Sequence, residues 1–454
     1  MKQTAVRFVR FLCALGAVFL IIFINTSSAD EYHYNNLLIG DRASGMGGAY
    51  TAVSDDATGL YYSPAGVAYA TGRNLSASVN AYYNLTKTYD GVIGGHGWER
   101  KSSALLPNYF GIVQPLGKLK FGFSYAVPDS SKEDQDQTFS NLSLNPTLQG
   151  YNPGVNITSY TINFNNDDNT YQFGPTFAGE IARNLAAGIT LYIHQRKVQR
   201  TLNQFILFSN SAPGNESYEW TSSFKELSET GVKPVIGIMY SPMDKLSIGV
   251  AVSKVVELSS DLAQQQTKRL EGITVPFDVN GDGIIVSGET TTSLFCSPTD
   301  PFCGYFTTKE KKRYPIQTTV GIAYFPTADL LLSADFTYFT KVDDSAFGDR
   351  EAVLNAAFGA EYYMSRSWAL RAGLFTNMAN TPEIKAGTAA VADEHTDLYG
   401  GSLSISNFTR NTSVTLGGNM SYGTGTSQIT TDATKTQDMT IFGWAIFLSS
   451  SYSY

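Results

Sequence analysis

The feature that most constrains this chain is an alternation of apolar and polar residues that continues from about residue 73 to the end. In the first stretch Leu75, Ala77 and Val79 are separated by serines. Successive side chains of a β-strand point to opposite faces, so each stretch predicts a strand with one apolar and one polar face. We count fourteen stretches, at 73–88, 103–114, 118–127, 169–182, 185–200, 217–241, 244–258, 312–325, 329–341, 353–364, 367–377, 395–408, 411–423 and 438–454.

The connections between these stretches alternate in length. Those after even-numbered stretches are tight, as at 115–117 and 183–184, whereas those after odd-numbered stretches are long and polar. Short periplasmic turns and long extracellular loops are typical of bacterial outer-membrane barrels. The sequence therefore predicts an all-β membrane protein, a fourteen-stranded antiparallel transmembrane β-barrel over 73–454 with both ends facing the periplasm. A large soluble sandwich is the alternative, but it would not explain the aromatic residues near the strand ends.

Composition excludes several other classes of protein. Only 16% of the 454 residues are charged, 43% are apolar and 13% are aromatic, which is too little charge for a set of soluble domains and too much apolar surface for disorder. The formal net charge is -8, and no basic stripe is present to neutralise phosphates, so nucleic acid is not an expected partner.

The first 29 residues have the pattern of a secretory signal peptide. Three basic residues precede an apolar run over 11–24, and the small residues Ser27, Ser28 and Ala29 follow it. A membrane anchor is the alternative, but the run is shorter than the ~20 residues that a spanning helix needs. Export would bring the chain into an oxidising compartment. We therefore expect Cys296 and Cys303 to form a structural disulfide.

Residues 30–72 do not alternate and are rich in glycine and alanine. A fourteen-stranded barrel encloses a lumen wide enough to need a plug, and an N-terminal segment is well placed to supply it. Gly45, Gly47 and Gly48 would let its backbone approach the wall. A loose periplasmic tail is the alternative, but Tyr50 and Leu60 are apolar surface that a tail would leave exposed.

This N-terminal segment, GDRASGMGGAYTAVSDDATGLYYSPAGVA, resembles the hatch signature of the FadL-type long-chain fatty acid transporters. That signature runs from a Gly/Ala-rich stretch through Asp-Asp to Asn-Pro-Ala-Gly. The GMGG stretch also resembles sister barrels associated with protein secretion. The matching positions here are Asp55, Asp56, Ser63, Pro64, Ala65 and Gly66, with Ser63 in the place of the usual asparagine.

The later segment LLPNYFGIVQPLGKLKFGFSYAVP is similar to the second and third strands of the same family. The resemblance implies that extracellular loops capture a hydrophobic molecule, that it moves to an internal pocket, and that it leaves sideways when the hatch shifts. The family's exit is a kink in the third strand. Gly122 and Pro128 are the candidates for that kink in this chain.

Two predicted loops, after the fifth and seventh stretches, contain apolar clusters in polar surroundings. An exposed apolar cluster usually marks a ligand or partner, although the first cluster could instead extend a strand and face lipid. Together these loops could form the capture groove. The candidate residues are Phe205, Ile206, Leu207, Phe208, Phe295, Phe302 and Phe306.

The loop after the seventh stretch also contains DVNGDGIIVSGE, residues 278–289, which fits the calcium-loop pattern D-x-[DN]-x-[DN]-G-x5-E. An Asp/Gly-rich turn without metal is the alternative, because no flanking EF-hand helices are evident. The spacing predicts a structural Ca²⁺ site. Its ligands would be Asp278, Asn280, Asp282, the backbone carbonyl of Ile284, and Glu289.

The function that fits these features best is passive uptake of a hydrophobic compound, such as a long-chain fatty acid or an aromatic hydrocarbon, across the bacterial outer membrane. Transfer from water to an apolar site is downhill, so no energy source is required. A non-transporting surface or secretion-associated barrel is the alternative. We expect no enzyme activity, because the four histidines are scattered and form no recognisable catalytic motif. The expected partners of this monomer are outer-membrane lipid and the barrel assembly machinery.

Overall fold

The computed structural model describes residues 32–93, 95–144, 146–212, 214–276, 289–295, 304–387, 394–429 and 436–453. Short helices are confined to the N-terminal segment and one connection: α1 (Asp41–Gly45), α2 (Gly59–Tyr62), a 3₁₀ helix (Gly66–Tyr69) and α3 (Pro146–Tyr151). None of the helices in these ranges is both long and apolar enough to cross a membrane.

The remainder of the described chain is almost entirely β-strand. The strands are β1 (Asn74–Ile93), β2 (His96–Leu116), β3 (Leu119–Ser143), β4 (Asn156–Ala182), β5 (Leu185–Phe208), β6 (Tyr218–Met243), β7 (Leu246–Lys254), β8 (Val256–Pro276), β9 (Thr290–Phe295), β10 (Gly304–Thr308), β11 (Ile316–Thr327), β12 (Leu330–Phe339), β13 (Val353–Ser365), β14 (Trp368–Asn377), β15 (Glu394–Thr396), β16 (Leu398–Phe408), β17 (Thr412–Ser427) and β18 (Gln437–Ser453).

These strands build a closed barrel with fourteen positions around its wall. We call each position a stave; it consists of one strand or of several strands in line. β7 and β8 form one stave, and β15 and β16 form another. β9, β10 and β11 together form the stave next to β7 and β8, because β9 and β10 pair with β8 and β11 pairs with β7. Each stave is antiparallel to its neighbours, and β1 pairs with β18 from Asn74 opposite Ser453 onward, which closes the sheet. The predicted fourteen-stranded antiparallel barrel is therefore confirmed.

The alternation in the sequence becomes an alternation between the two faces of the wall. On β5, Ile189, Leu191 and Ile193 are exposed on the outside, whereas Thr190 and Tyr192 are buried on the inside. Because side chains alternate with a period of two, one register places Ile189, Leu191 and Ile193 together on the outer face.

Several strands are longer than the sequence pattern predicted. β4 has 27 residues and β5 extends to Phe208, eight residues beyond the predicted end. At roughly 3.3 Å per residue, β4 is ~90 Å long. The strands from β3 to β6 therefore extend the wall at the end of the barrel opposite the short turns. The interior of this extension is a hydrophobic core that includes Trp98, Tyr160, Phe164 and Leu202.

Candidate functional site

The barrel encloses residues 32–73, which we call the inner segment. Its backbone is hydrogen-bonded to distant parts of the wall: Thr190 Oγ1 on β5 donates to the carbonyl of Leu60 at 3.0 Å, and Ser402 Oγ on β16 donates to the carbonyl of Gly45 at 3.0 Å. Because β5 and β16 are far apart around the barrel, the inner segment extends across the lumen.

A row of inward-facing glycines makes room for this segment. A Cβ on Gly188 would lie 2.5 Å from the carbonyl carbon of Pro64, and a Cβ on Gly359 would lie 2.7 Å from Cβ of Met46. Real side chains do not approach so closely, so at these positions the wall contacts the inner segment as bare backbone. The glycines in this row, which we call the glycine belt, are Gly122, Gly188, Gly237, Gly249, Gly321, Gly359 and Gly373.

The residues predicted from the hatch signature lie in this contact zone. Gly45 and Gly47 lie against strands β14 and β16, and both Gly47 and Gly48 have a positive φ that favours glycine. Ser63, Pro64 and Ala65 pack against the glycine belt, and Gly66 packs against Ser54 and Met239. Ser63 is fully buried, and its hydroxyl has no hydrogen-bond partner among the described residues.

A buried ion network fixes one side of the inner segment. Arg42 donates to both carboxylate oxygens of Glu361 on β13, from Nε at 3.0 Å and from Nη2 at 2.6 Å. Arg371 donates to the same carboxylate at 2.7 Å, and Arg42 also pairs with Asp55 at 2.6 Å. Glu361 is fully buried, so its charge depends on these two arginines for compensation.

A second wall carboxylate accepts hydrogen bonds from the backbone of the inner segment. Asp335 Oδ2 on β12 accepts from the backbone N–H groups of Tyr50 at 3.0 Å and Thr51 at 2.8 Å. Within the segment, burial together with the nearby Asp41 and Asp55 raises the pKa of Asp56 to about 6, against the lowering effect of Arg42. Protonation of Asp56 is therefore linked to how tightly the segment is packed.

A cavity of about 250 Å³ lies between the inner segment and the wall. Its lining combines aromatic rings from both parts of the chain with basic side chains of the wall. At one side it reaches Pro128 and Asp129 on β3. The aromatic members are Tyr34, Tyr61, Tyr62, Tyr314, Phe339 and Phe375.

The wall beside this cavity is interrupted between β2 and β3. Tyr109 pairs with Ala126 and Ser102 pairs with Glu133, but the described strands have no register pairs between these two points. The register of β3 against β4 also shifts just after Ala126. Pro128 lies in this interval and has no N–H to donate to a ladder.

The other kink candidate, Gly122, belongs to the regular part of the wall. It pairs with Val113 on β2 and Thr176 on β4, and a Cβ there would collide with Leu60 of the inner segment. Of the two sequence candidates, only Pro128 lies at the interruption.

Residues 205–208 lie in β5 and not in a loop, so that sequence prediction is wrong in its placement. The strand alternation separates the four side chains. Ile206 and Phe208 are buried in the core of the extension, 4% and 3% exposed, whereas Phe205 and Leu207 face outward. The alternative interpretation, that the cluster extends a strand, agrees with the structure.

Phe205 instead belongs to a group of exposed aromatic residues on neighbouring strands. It pairs with Trp220, its ring lies 6.0 Å from Tyr218, and Arg269 lies over Tyr218 and over Phe295, at 4.9 Å from the latter ring. We call Phe205, Tyr218, Trp220, Arg269 and Phe295 the outer aromatic surface. Phe306 on β10 is also exposed, and β10 pairs with β8, the strand that carries Arg269.

Several predicted site residues lie outside the described residues. They are Asp278, Asn280, Asp282, Ile284, Cys296, Phe302 and Cys303. Glu289 is described and immediately precedes β9. The calcium site and the disulfide therefore remain predictions.

The sequence analysis missed the glycine belt and the basic side chains of the cavity. Glycines on the polar face of predicted strands were a usable signal for the belt, because glycine weakens a strand unless another group approaches its backbone closely. The basic residues gave no such signal, since inward-facing polar residues are expected throughout a barrel.

No family model matches this chain, and no curated protein matches its sequence. Its fold is similar to those of several solved proteins. The Pseudomonas putida toluene transporter TodX superposes with a TM-score of 0.57 at 16% identity, covering 93% of this chain and 99% of that one. A FadL homologue from Pseudomonas aeruginosa gives 0.56 at 14% identity, with 92% and 99% covered. The Ralstonia pickettii toluene transporter TbuX gives 0.53 at 14%, with 93% and 99% covered.

Proposed function

We propose that this chain is an outer-membrane channel of the FadL type that carries hydrophobic small molecules by passive uptake and lateral exit. The observation that carries the proposal is the cavity that reaches the wall interruption at Pro128. The similar solved structures, two of which are described as toluene transporters, support it. In this proposal the inner segment acts as the hatch.

The outer face of the barrel fits a membrane location. Apolar side chains such as Ile236, Ile238 and Leu374 are exposed on the outside of the wall, where a hydrocarbon layer would cover them. The outer aromatic surface lies far from this band: Phe205 follows Ile193 by twelve positions, or roughly 40 Å along the strand. The outward residues between them, such as Lys197 and Gln199, are polar.

The structure gives a physical reason for a lateral route. The inner segment crosses the lumen and is held by Glu361 and Asp335, so an axial route would require these buried contacts to break. A hydrophobic molecule that leaves through the interruption between β2 and β3 would enter the membrane directly. That transfer is favourable, because the apolar surface of the molecule is not returned to water on its way into the membrane.

We propose that the outer aromatic surface captures the hydrophobic molecule. Exposed aromatic clusters on a soluble surface usually mark an interaction site. Replacing Trp220 by Ser should slow uptake at low substrate concentration without changing binding to the internal cavity. Tyr240→Ser, an exposed aromatic near the short turns, is the matched control.

The exit route is tested by blocking the wall interruption. Cells that express Pro128→Trp should take up toluene several-fold more slowly than wild type, because an indole would fill the interval between β2 and β3. Ile236→Trp, at an exposed outward position of β6 that pairs with both neighbouring strands, is the control. Equal uptake by Pro128→Trp and wild type would contradict the lateral route.

A surface binding platform is the second candidate, favoured by the exposure of the outer aromatic surface. The two functions differ at the cavity. A platform would leave the cavity empty in protein extracted from its own membrane, whereas a channel would retain ligand there. Native mass spectrometry of the extracted protein distinguishes them.

A further inference from the structure

The cavity beside the inner segment has an excess of positive charge. Six lysine or arginine side chains line it, of which Arg196 is paired with the buried Asp168 and Glu229, whereas Asp129 and Asp335 are its only carboxylates among the described lining residues. A concave site lined mainly by one sign of charge concentrates ligands of the opposite sign. A neutral hydrocarbon would gain nothing from this arrangement.

Two side chains of the lining, Lys233 and His194, are oriented by the amide of Gln172. Lys233 Nζ donates to Gln172 Oε1 at 3.5 Å, so the amide nitrogen of Gln172 is turned toward His194 and lies 3.3 Å from its Nδ1. An amide nitrogen can only donate, so Nδ1 accepts and the proton of the neutral imidazole resides on Nε2. Gln172 therefore leaves His194 Nε2 as a hydrogen-bond donor.

That donor has no partner within the protein. His194 is 3% exposed, lines the cavity, and its Nε2 has no hydrogen-bond acceptor among the described residues. No carboxylate of the described chain forms an ion pair with Lys233. A buried donor without an acceptor is costly, and an acceptor on a bound ligand would satisfy it.

Aromatic rings lie directly beside these two donors. Lys233 Nζ is 5.4 Å from the ring centre of Tyr61, and the ring of Tyr314 meets the His194 ring edge-on at 5.6 Å. Tyr61 in turn packs edge-on against Tyr62 at 5.3 Å. The site thus places an anion-binding group next to a surface that favours another aromatic ring.

The cavity is large enough for a ligand that combines a ring with an anionic group. Its volume of about 250 Å³ is more than ten times the ~10–15 Å³ that a single water molecule requires.

We propose that the cavity binds a small aromatic carboxylate, whose carboxylate accepts hydrogen bonds from Lys233 Nζ and His194 Nε2 and whose ring lies against Tyr61 and Tyr62. The proposal rests on the channel function and names the class of substrate. It predicts that the chain prefers a small aromatic carboxylate to a neutral hydrocarbon of similar size.

The test is calorimetric titration of the full detergent-solubilised chain with benzoate, toluene and palmitate. Wild type should bind benzoate at least about tenfold more tightly than toluene, since a charge-assisted hydrogen bond is worth that factor or more. Lys233→Met should lose at least about tenfold in benzoate affinity and keep its toluene affinity. Lys197→Met, on an outward position of β5, should match wild type.

His194→Phe is the second variant, because it removes the donor and keeps the ring; it should weaken benzoate and not toluene. Heat-dependent migration on gels verifies that each variant is folded. Equal benzoate affinity in wild type and Lys233→Met, or tighter binding of toluene or palmitate than of benzoate, would overturn the substrate class. If cells that express the wild-type chain take up neither benzoate nor toluene faster than cells that lack it, the result would instead count against the channel function.

Discussion

Glu361 on the barrel wall holds the guanidinium of Arg42 with both of its carboxylate oxygens, at 3.0 Å and 2.6 Å. Arg42 belongs to the inner segment and lies 319 positions earlier in the chain. Arg371 shares the same carboxylate, so two buried positive charges depend on one acid. This contact couples the position of the inner segment to the wall.

Replacing Glu361 by Gln should destabilise the docked inner segment by about 3–5 kcal/mol, because Arg371 would lose its carboxylate partner among the described residues and Arg42 would keep only the half-exposed Asp55. Protease cleavage of the inner segment in the folded barrel measures this effect. Glu383→Gln, in an ion pair whose side chains are more than 70% exposed, is the control and should have little effect. Identical cleavage rates for both variants would show that the Arg42–Glu361 contact does not hold the segment.

Packing of the inner segment should also depend on pH through Asp56. Its pKa is raised from 3.8 to about 6, so the packed state binds a proton more tightly than the released state does. Stability from this group is fully present below about pH 4 and is lost as the pH rises through about 6. The hydrogen-exchange protection factors of residues 41–66, which are corrected for the intrinsic pH dependence of amide exchange, should therefore be higher at pH 4 than at pH 7.

Asp56→Asn is the matching variant, since an amide does not titrate and keeps a similar shape. In this variant the difference between the protection factors of residues 41–66 at pH 4 and at pH 7 should be smaller than in wild type. If it remains unchanged, another group carries the pH dependence.

The glycine belt can be tested with a single methyl group. Gly188→Ala would bring a Cβ within 2.5 Å of the Pro64 backbone, so the inner segment must shift or leave the lumen. We expect faster cleavage of the segment while the heat-dependent gel migration of the barrel is retained. Gly401→Ala, on the outer face of the same wall, would place its Cβ in ordinary contact at 3.5 Å and should behave as wild type.

The sequence was sufficient to predict the barrel but not the contacts inside it. Strand alternation in stretches such as 185–200 depends only on local order, so the count of staves could be derived from it. The ends of β5 could not, because the extension beyond residue 200 packs against its own neighbours and so places Ile206 and Phe208 inside. Tertiary packing thus decides how far β5 extends, and the alternation along the extended strand then decides which apolar residues are exposed.

The interior site depends on contacts between residues far apart in the chain. Asp55 and Asp56 could be assigned to a hatch from their motif, but nothing in the sequence pairs Arg42 with Glu361 or places Gln172 between Lys233 and His194. The closure of the barrel determines these contacts, and they depend on register. Of the two kink candidates, Pro128 could be distinguished from Gly122 only once the β2–β3 pairing was known.

The calcium site predicted at 278–289 can be tested without reference to the rest of the barrel. The pattern supplies alternating oxygen ligands and a terminal Glu289 that would bind bidentately, so the wild-type chain should bind one Ca²⁺ per molecule after dialysis against a chelator. Asp282→Asn together with Glu289→Gln should abolish this binding, because the loss of two negative ligands weakens a hard-cation site most. Asp261→Asn, an exposed acid on β8, is the control. Calcium bound equally by the double variant and wild type would place the metal elsewhere, and no bound calcium in wild type would leave the segment as an Asp/Gly-rich turn.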